Sequence, residues 1–115
     1  MPHLVFRGVS IEQVKTISKP LVEELADVCR CGTDNFTLEV LSSTFIFEKK
    51  EVAGFPFIEV KWFERGQEIR DQFAQVVSKL VQSLEIPEVE VAFTTFRETA
   101  YYSNGKSFAT TYCEK

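Results

Sequence analysis

Pro2 is the residue whose type and position could do the most chemistry in this 115-residue sequence. Removal of Met1, which a small second residue permits, would turn Pro2 into a chain-terminal secondary amine, a base and nucleophile held in one rigid ring. An ordinary α-amino group has a pKa of about 7.7–8.0. Burial beside apolar groups or a nearby cation lowers that value, so a neutral base could exist at working pH. Such a base could take a proton from a carbon next to a carbonyl and return it elsewhere. The plainer reading is that Met-Pro is simply a common chain start. Against it, an apolar segment begins at His3 with no flexible leader, which would hold the ring nitrogen in place.

Other side chains could serve that nitrogen. Arg7 could point its guanidinium toward Pro2 from a strand end, or lie in solvent. Tyr101, Tyr102, Phe93, Phe96 and Trp62 could wall an apolar pocket, or fill the core and contacts between subunits. His3 adjoins the proline, but strand alternation sends its side chain to one face of a sheet, where a structural role is the simpler expectation. It is the sole histidine, which excludes a multi-histidine metal site. Cys29, Cys31 and Cys113 are an odd number without a secretory pattern, so free thiols are expected rather than a disulfide framework. No metal or cofactor is implied.

The elements that must position these residues follow from spacing. From Ser10 the apolar residues Ile11, Val14, Ile17, Leu21, Leu25 and Val28 recur every three to four positions, which predicts a helix opened by a Ser10–Gln13 capping box. Gly32 suits the left-handed position past its end, and Pro20 should kink or split it. A second helix is expected from about Gln67 to Leu84, with Pro87 beyond. His3–Arg7, Phe36–Leu41, Phe57–Phe63 and Val89–Thr95 read as strands. Phe45–Phe47 and the charged turn Glu48–Glu51 look like an insertion at an edge. Asn104-Gly105 between strand-like residues signals a terminal hairpin.

Strand, helix, strand is therefore written twice, with units of about 2–54 and 55–115 in a single domain, and Pro2 and Pro56 each open a unit. Right-handed crossovers would put both helices on one face of a four-stranded mixed sheet. The expected fold class is an α+β two-layer sandwich of duplicated β-α-β units plus a C-terminal hairpin.

The Met1-Pro2-His3-Leu4-Val5 opening, the duplicated β-α-β of this length, and the tail from Val89-Glu90-Val91-Ala92-Phe93 through Ser103-Asn104-Gly105-Lys106-Ser107-Phe108-Ala109 resemble the tautomerase superfamily. Its members include macrophage migration inhibitory factor and 4-oxalocrotonate tautomerase. The resemblance covers nearly the whole chain in layout and few positions in identity. It implies an N-terminal proline acting as general base or acid in keto-enol tautomerisation of a small 2-oxo or enol acid, and trimers with active sites between subunits. Pro2 matches the catalytic proline. Arg65 falls within one place of an arginine that holds a substrate carboxylate, which the guanidinium fork suits; a solvated arginine opening a helix is the other reading. Glu39 stands where 4-oxalocrotonate tautomerase has an arginine. Facing the pocket, it would raise the Pro2 pKa, repel a dianion or orient a water; facing solvent, it would do nothing. Thr33, Glu90 and Ala92 replace the lysine, tyrosine and asparagine of cytokine-like members, so those roles do not transfer.

Composition bounds the partners. Thirteen basic against seventeen acidic residues give a net charge of −4, so no field concentrates nucleic acid. No apolar run reaches the ~20 residues of a membrane span, and a cytoplasmic homo-oligomer, a trimer, acting on a small carboxylate is expected. Eleven phenylalanines would supply either a dense core or a subunit interface. The alternative function is a non-catalytic binding or assembly module, either ferredoxin-like or a tautomerase fold that has lost its chemistry. Strand pairing separates the two folds: neighbouring parallel strands within each unit for the tautomerase type, interleaved antiparallel ones for the ferredoxin type.

Overall fold

A computed structural model describes residues 2–109; Cys113 lies outside them. Strand β1 (His3–Arg7) leads into helix α1 (Ile11–Cys29) and strand β2 (Thr37–Val40). A hairpin of β3 (Phe45–Phe47) and β4 (Lys50–Val52) separates this unit from the second, formed by β5 (Phe57–Phe63), α2 (Gln67–Gln82) and β6 (Glu90–Phe96). Strands β7 (Tyr102–Ser103) and β8 (Lys106–Ser107) close the described chain.

The main sheet has the order β2-β1-β5-β6. Strand β1 runs parallel to β2, β5 runs parallel to β6, and the two units join through antiparallel β1 and β5. Neighbouring parallel strands within each unit are the tautomerase arrangement and not the ferredoxin one. The repeat extends to single hydrogen bonds. Thr37 N–H donates to the Pro2 carbonyl at 3.1 Å, and Glu90 N–H donates to the Pro56 carbonyl at 3.2 Å. Each proline heads a strand, where its missing N–H removes no ladder bond.

Alternation then sorts the sheet residues. Leu4, Phe6, Ile58, Val60 and Trp62 are fully buried against the helices, where they meet Leu21 and Leu25 of α1 and Phe73, Val77 and Val81 of α2. His3, Val5, Arg7, Glu59, Lys61 and Phe63 alternate with them and point to the other face.

Helix α1 starts as its capping box requires: Gln13 N–H donates to Ser10 Oγ at 3.1 Å, and Ser10 N–H to Gln13 Oε1 at 2.9 Å. It runs through Pro20 as one helix. Pro20 is exposed, so water can reach the carbonyl that lost its donor. The left-handed residue at its end is Arg30, with φ 55°, whereas Gly32 has φ −79° and opens a short 3-10 turn over Thr33–Asn35. The left-handed cap thus comes two residues before the glycine expected to supply it. Both two-residue hairpin turns use left-handed pairs, Glu48-Lys49 at φ 52° and 67° and Asn104-Gly105 at φ 52° and 80°, matching the twist of the flanking strands.

Gly8 carries the chain from β1 into α1 at φ +76°, where a Cβ would lie 2.4 Å from the Phe55 carbonyl oxygen. The contact is backbone and cannot swing away. Gly8→Ala is expected to destabilise the fold by about 1–3 kcal/mol, read as a lower midpoint in urea unfolding.

Candidate active site

The site begins with strand register. In the antiparallel β1–β5 pair His3 faces Lys61 and Leu4 faces Val60, so one step back sets Pro2 opposite Trp62. The proline ring is fully buried. Trp62 is also fully buried and packs edge-on against Phe73 at 5.2 Å and tilted against Phe93 at 4.9 Å between ring centroids. Its Nε1–H is a buried side-chain donor without a hydrogen-bond partner among the described residues.

Arg65, just past the end of β5, lies over the same indole, with its guanidinium carbon 5.5 Å from the ring centroid. Its Nη1 donates to the Phe63 carbonyl at 3.2 Å. The side chain borders a cavity of about 520 Å³ where the end of α1 meets the start of α2, shared with Val28, Cys29, Arg30, Glu68 and Ile69. Burial pushes the Cys29 thiol pKa up; the Arg65 guanidinium opposes that, Cys31 adds to it, and the positive chain terminus opposes it. The Cys29 thiol therefore lies within electrostatic reach of the Arg65 guanidinium. Pro2 itself is enclosed and is not among the residues bordering the cavity. Gly66 starts α2 at φ 95° without a side-chain cap, so the positive end of that helix dipole also lies here.

The other face of the sheet at this end is aromatic. Tyr101 packs against Phe63 and Phe96 at 4.9 and 5.0 Å, Phe108 stacks on Phe63 at 5.4 Å, and His3 meets the Phe96 edge at 6.1 Å. His3 Nδ1 is 2.7 Å from Thr37 Oγ1 and Nε2 is 3.3 Å from the Tyr101 hydroxyl. The hydroxyl at β1 is thus that of Tyr101, while Tyr102 is 63% exposed and turns away on β7.

Within one chain, Pro2, Arg65 and Trp62 share a corner; Arg7, Glu39 and Tyr102 do not join them. Arg7 sits at the far end of β1, opposite Phe57, and pairs with Glu59 at 3.3 Å on the face away from the helices. Both partners are partly exposed, which limits such a pair to at most about 1 kcal/mol. Glu39 is exposed on β2 opposite Val5, on that same face, and its carboxylate acts on His3. Arg30 borders the Arg65 cavity although nothing in its sequence position signals it. A cavity of about 610 Å³ lies elsewhere, between the start of α1 and the β3–β4 hairpin. It belongs to the end of β1 remote from Pro2. Among the described residues no cluster of His, Cys, Asp or Glu could hold a metal ion, and no helix is long and apolar enough to cross a membrane.

The His3 pKa is lowered from 6.5, first by burial and next by the positive chain terminus, with Glu39 opposing and Lys61 adding to the decrease. Between the folded and unfolded pKa values the unfolded chain binds more protons, so this contribution to stability is complete above about pH 6.5 and is lost as pH falls through the folded pKa. Urea midpoints at about pH 7.5 and about pH 5 are expected to fall further for wild type than for His3→Gln, which keeps polar contacts but does not titrate.

Residues 1–107 match the family described as Domain of unknown function (DUF1904). No match is found among curated proteins. The crystal structure of a DUF1904 domain from Sebaldella termitidis is 36% identical, with a TM-score of 0.86 over 93% of this chain and 99% of that one. A protein from Vibrio cholerae is 32% identical, with a TM-score of 0.82 over 92% and 86%. A fused 4-OT asymmetric trimer is 10% identical, with a TM-score of 0.79 over 96% and 98%. Structures of the macrophage migration inhibitory factor and cis-3-chloroacrylic acid dehalogenase types share the fold as well. The chain belongs to the DUF1904 family, and its fold is that of the tautomerase superfamily.

Proposed function

We propose that the protein is a tautomerase-like enzyme in which Pro2, freed of Met1, is the general base and acid for a small 2-oxo or enol acid, and Arg65 anchors the substrate carboxylate. The observation that supports this reading most is the shared corner: a fully buried proline in register with Trp62, under whose neighbour Arg65 a cavity opens. Burial disfavours the charged amine and a nearby guanidinium adds to that, so both act to keep the ring nitrogen neutral. A guanidinium can hold a carboxylate by two parallel hydrogen bonds and so orient the carbon that loses its proton. Pro2 would take that proton, leaving an enolate, and deliver it to oxygen; the reverse path ketonises an enol.

The reading includes a trimer. The β3–β4 hairpin presents Ile46, Phe47 and Val52 at 62, 66 and 44% exposure, an apolar group that a neighbouring subunit would cover. In such an assembly Arg7, Glu39 and Tyr102 of one subunit would complete the pocket of another. Sedimentation is expected to give three times the chain mass, and Phe47→Lys to shift it toward the single chain.

The chemistry is tested on natively processed protein. Intact mass is expected to show loss of Met1, and ketonisation of phenylpyruvate enol or 2-hydroxymuconate to fall by at least about 100-fold in Pro2→Ala, with Arg65→Gln acting chiefly on KM. Retained Met1, or equal rates for wild type and Pro2→Ala, overturns the reading.

A further inference from the structure

Trp62 is the sole tryptophan of the chain, is fully buried, and holds an indole N–H that finds no acceptor among the described residues. Buried donors are almost always paired, and leaving one unpaired costs stability. Packing does not require that donor here. The ring is held by Phe73 and Phe93, which would hold a phenylalanine ring equally well without an orphaned N–H. The position is also that of the proposed chemistry: Trp62 stands opposite Pro2 in the register and beneath the Arg65 guanidinium.

We infer that the Trp62 indole N–H is the donor to the 2-oxo oxygen of the substrate on which Pro2 acts. The inference rests on the reading of Pro2 as the base and adds a second group that touches the reacting atoms. In the forward step the Pro2 nitrogen takes a proton from the carbon adjacent to the carbonyl. The C–H electron pair becomes the new carbon–carbon π bond, and the carbonyl π pair moves onto oxygen. Charge thus develops at that oxygen, and an indole N–H donating to it stabilises the enolate more than the ketone. Pro2 then delivers its proton to that oxygen to give the enol, so the site ends as it began. Arg65 links binding to exposure of the donor. At rest it covers the indole and spends one N–H on the Phe63 carbonyl, and turning toward a carboxylate in the cavity uncovers the ring.

A single tryptophan gives a single indole N–H signal in a proton–nitrogen NMR spectrum, which makes the inference testable in the wild-type protein without relying on a variant's folding. 2-Oxobutyrate is expected to shift that signal further than butyrate, which has the same carboxylate and no oxo oxygen. In parallel, Trp62→Phe is expected to lower kcat for phenylpyruvate tautomerisation by about 10- to 100-fold with KM changed less than about threefold. An indole signal unmoved by 2-oxobutyrate, an equal shift with butyrate, or an unchanged kcat in Trp62→Phe overturns the inference. Those results leave the Pro2 reading standing as long as Pro2→Ala is inactive. Equal activity of Pro2→Ala removes the base itself, whatever the indole signal does.

Discussion

The hydrogen bond from Thr37 N–H to the Pro2 carbonyl is the contact on which the rest of the site depends. It joins the head of a central strand to the head of the parallel strand beside it, and so fixes the proline one residue before the sheet begins. The antiparallel β5 on the other side sets Pro2 opposite Trp62. Because β5 ends at that same edge, Arg65, two residues past its end, is delivered there by topology. The second unit repeats the device with Pro56 and Glu90, but Pro56 is inside the chain and its nitrogen is an amide. One pseudo-symmetric fold thus offers two equivalent proline positions, of which only the first can become an amine.

The two faces of the sheet divide the work. Toward the helices the side chains are apolar and enclosed, and Pro2 and Trp62 belong to that face, with Arg65 lying over the indole. Away from the helices the sheet is charged toward one end, where Arg7 meets Glu59, and aromatic toward the other, where His3 is held between Thr37 and Tyr101. The aromatic cluster ties the β7–β8 hairpin over the start of β1, so residues far apart in sequence hold His3, the residue after the proline. Its energy comes mainly from stacked and edge-on rings rather than from ion pairs.

Much of this was legible in the residues. Apolar spacing located both helices, the Ser10–Gln13 box marked where the first begins, and strand composition gave β1 and β5 to the residue. Asn104-Gly105 announced its hairpin because both residues tolerate the left-handed region. Glu48-Lys49 makes the same turn with residue types that carry no such signal, so the sequence showed only an extended Phe45–Phe47 and a charged turn inserted at an edge. Arg30 ends α1 in place of Gly32 because closure onto Ala26 sets the stop, which composition does not encode. For the proposed site, the position of Pro2 singled it out, and Arg65 came from the resemblance to the tautomerase superfamily. Glu39 and Arg7 lie on the opposite face from the Arg65 cavity, which alternation alone left open. The unpaired indole of Trp62 was not legible at all, since satisfaction of a buried donor is a property of three-dimensional packing.

The proposed chemistry requires a titratable ring nitrogen in a place that disfavours its charge. Nitrogen NMR of natively processed protein labelled with ¹⁵N-proline follows that atom directly through a pH titration. A titrating signal from Pro2 with a pKa below the about 7.7–8.0 of an ordinary chain terminus is the predicted result. A Pro2 nitrogen that does not titrate, as in an amide, or one that titrates above that range, would contradict the account.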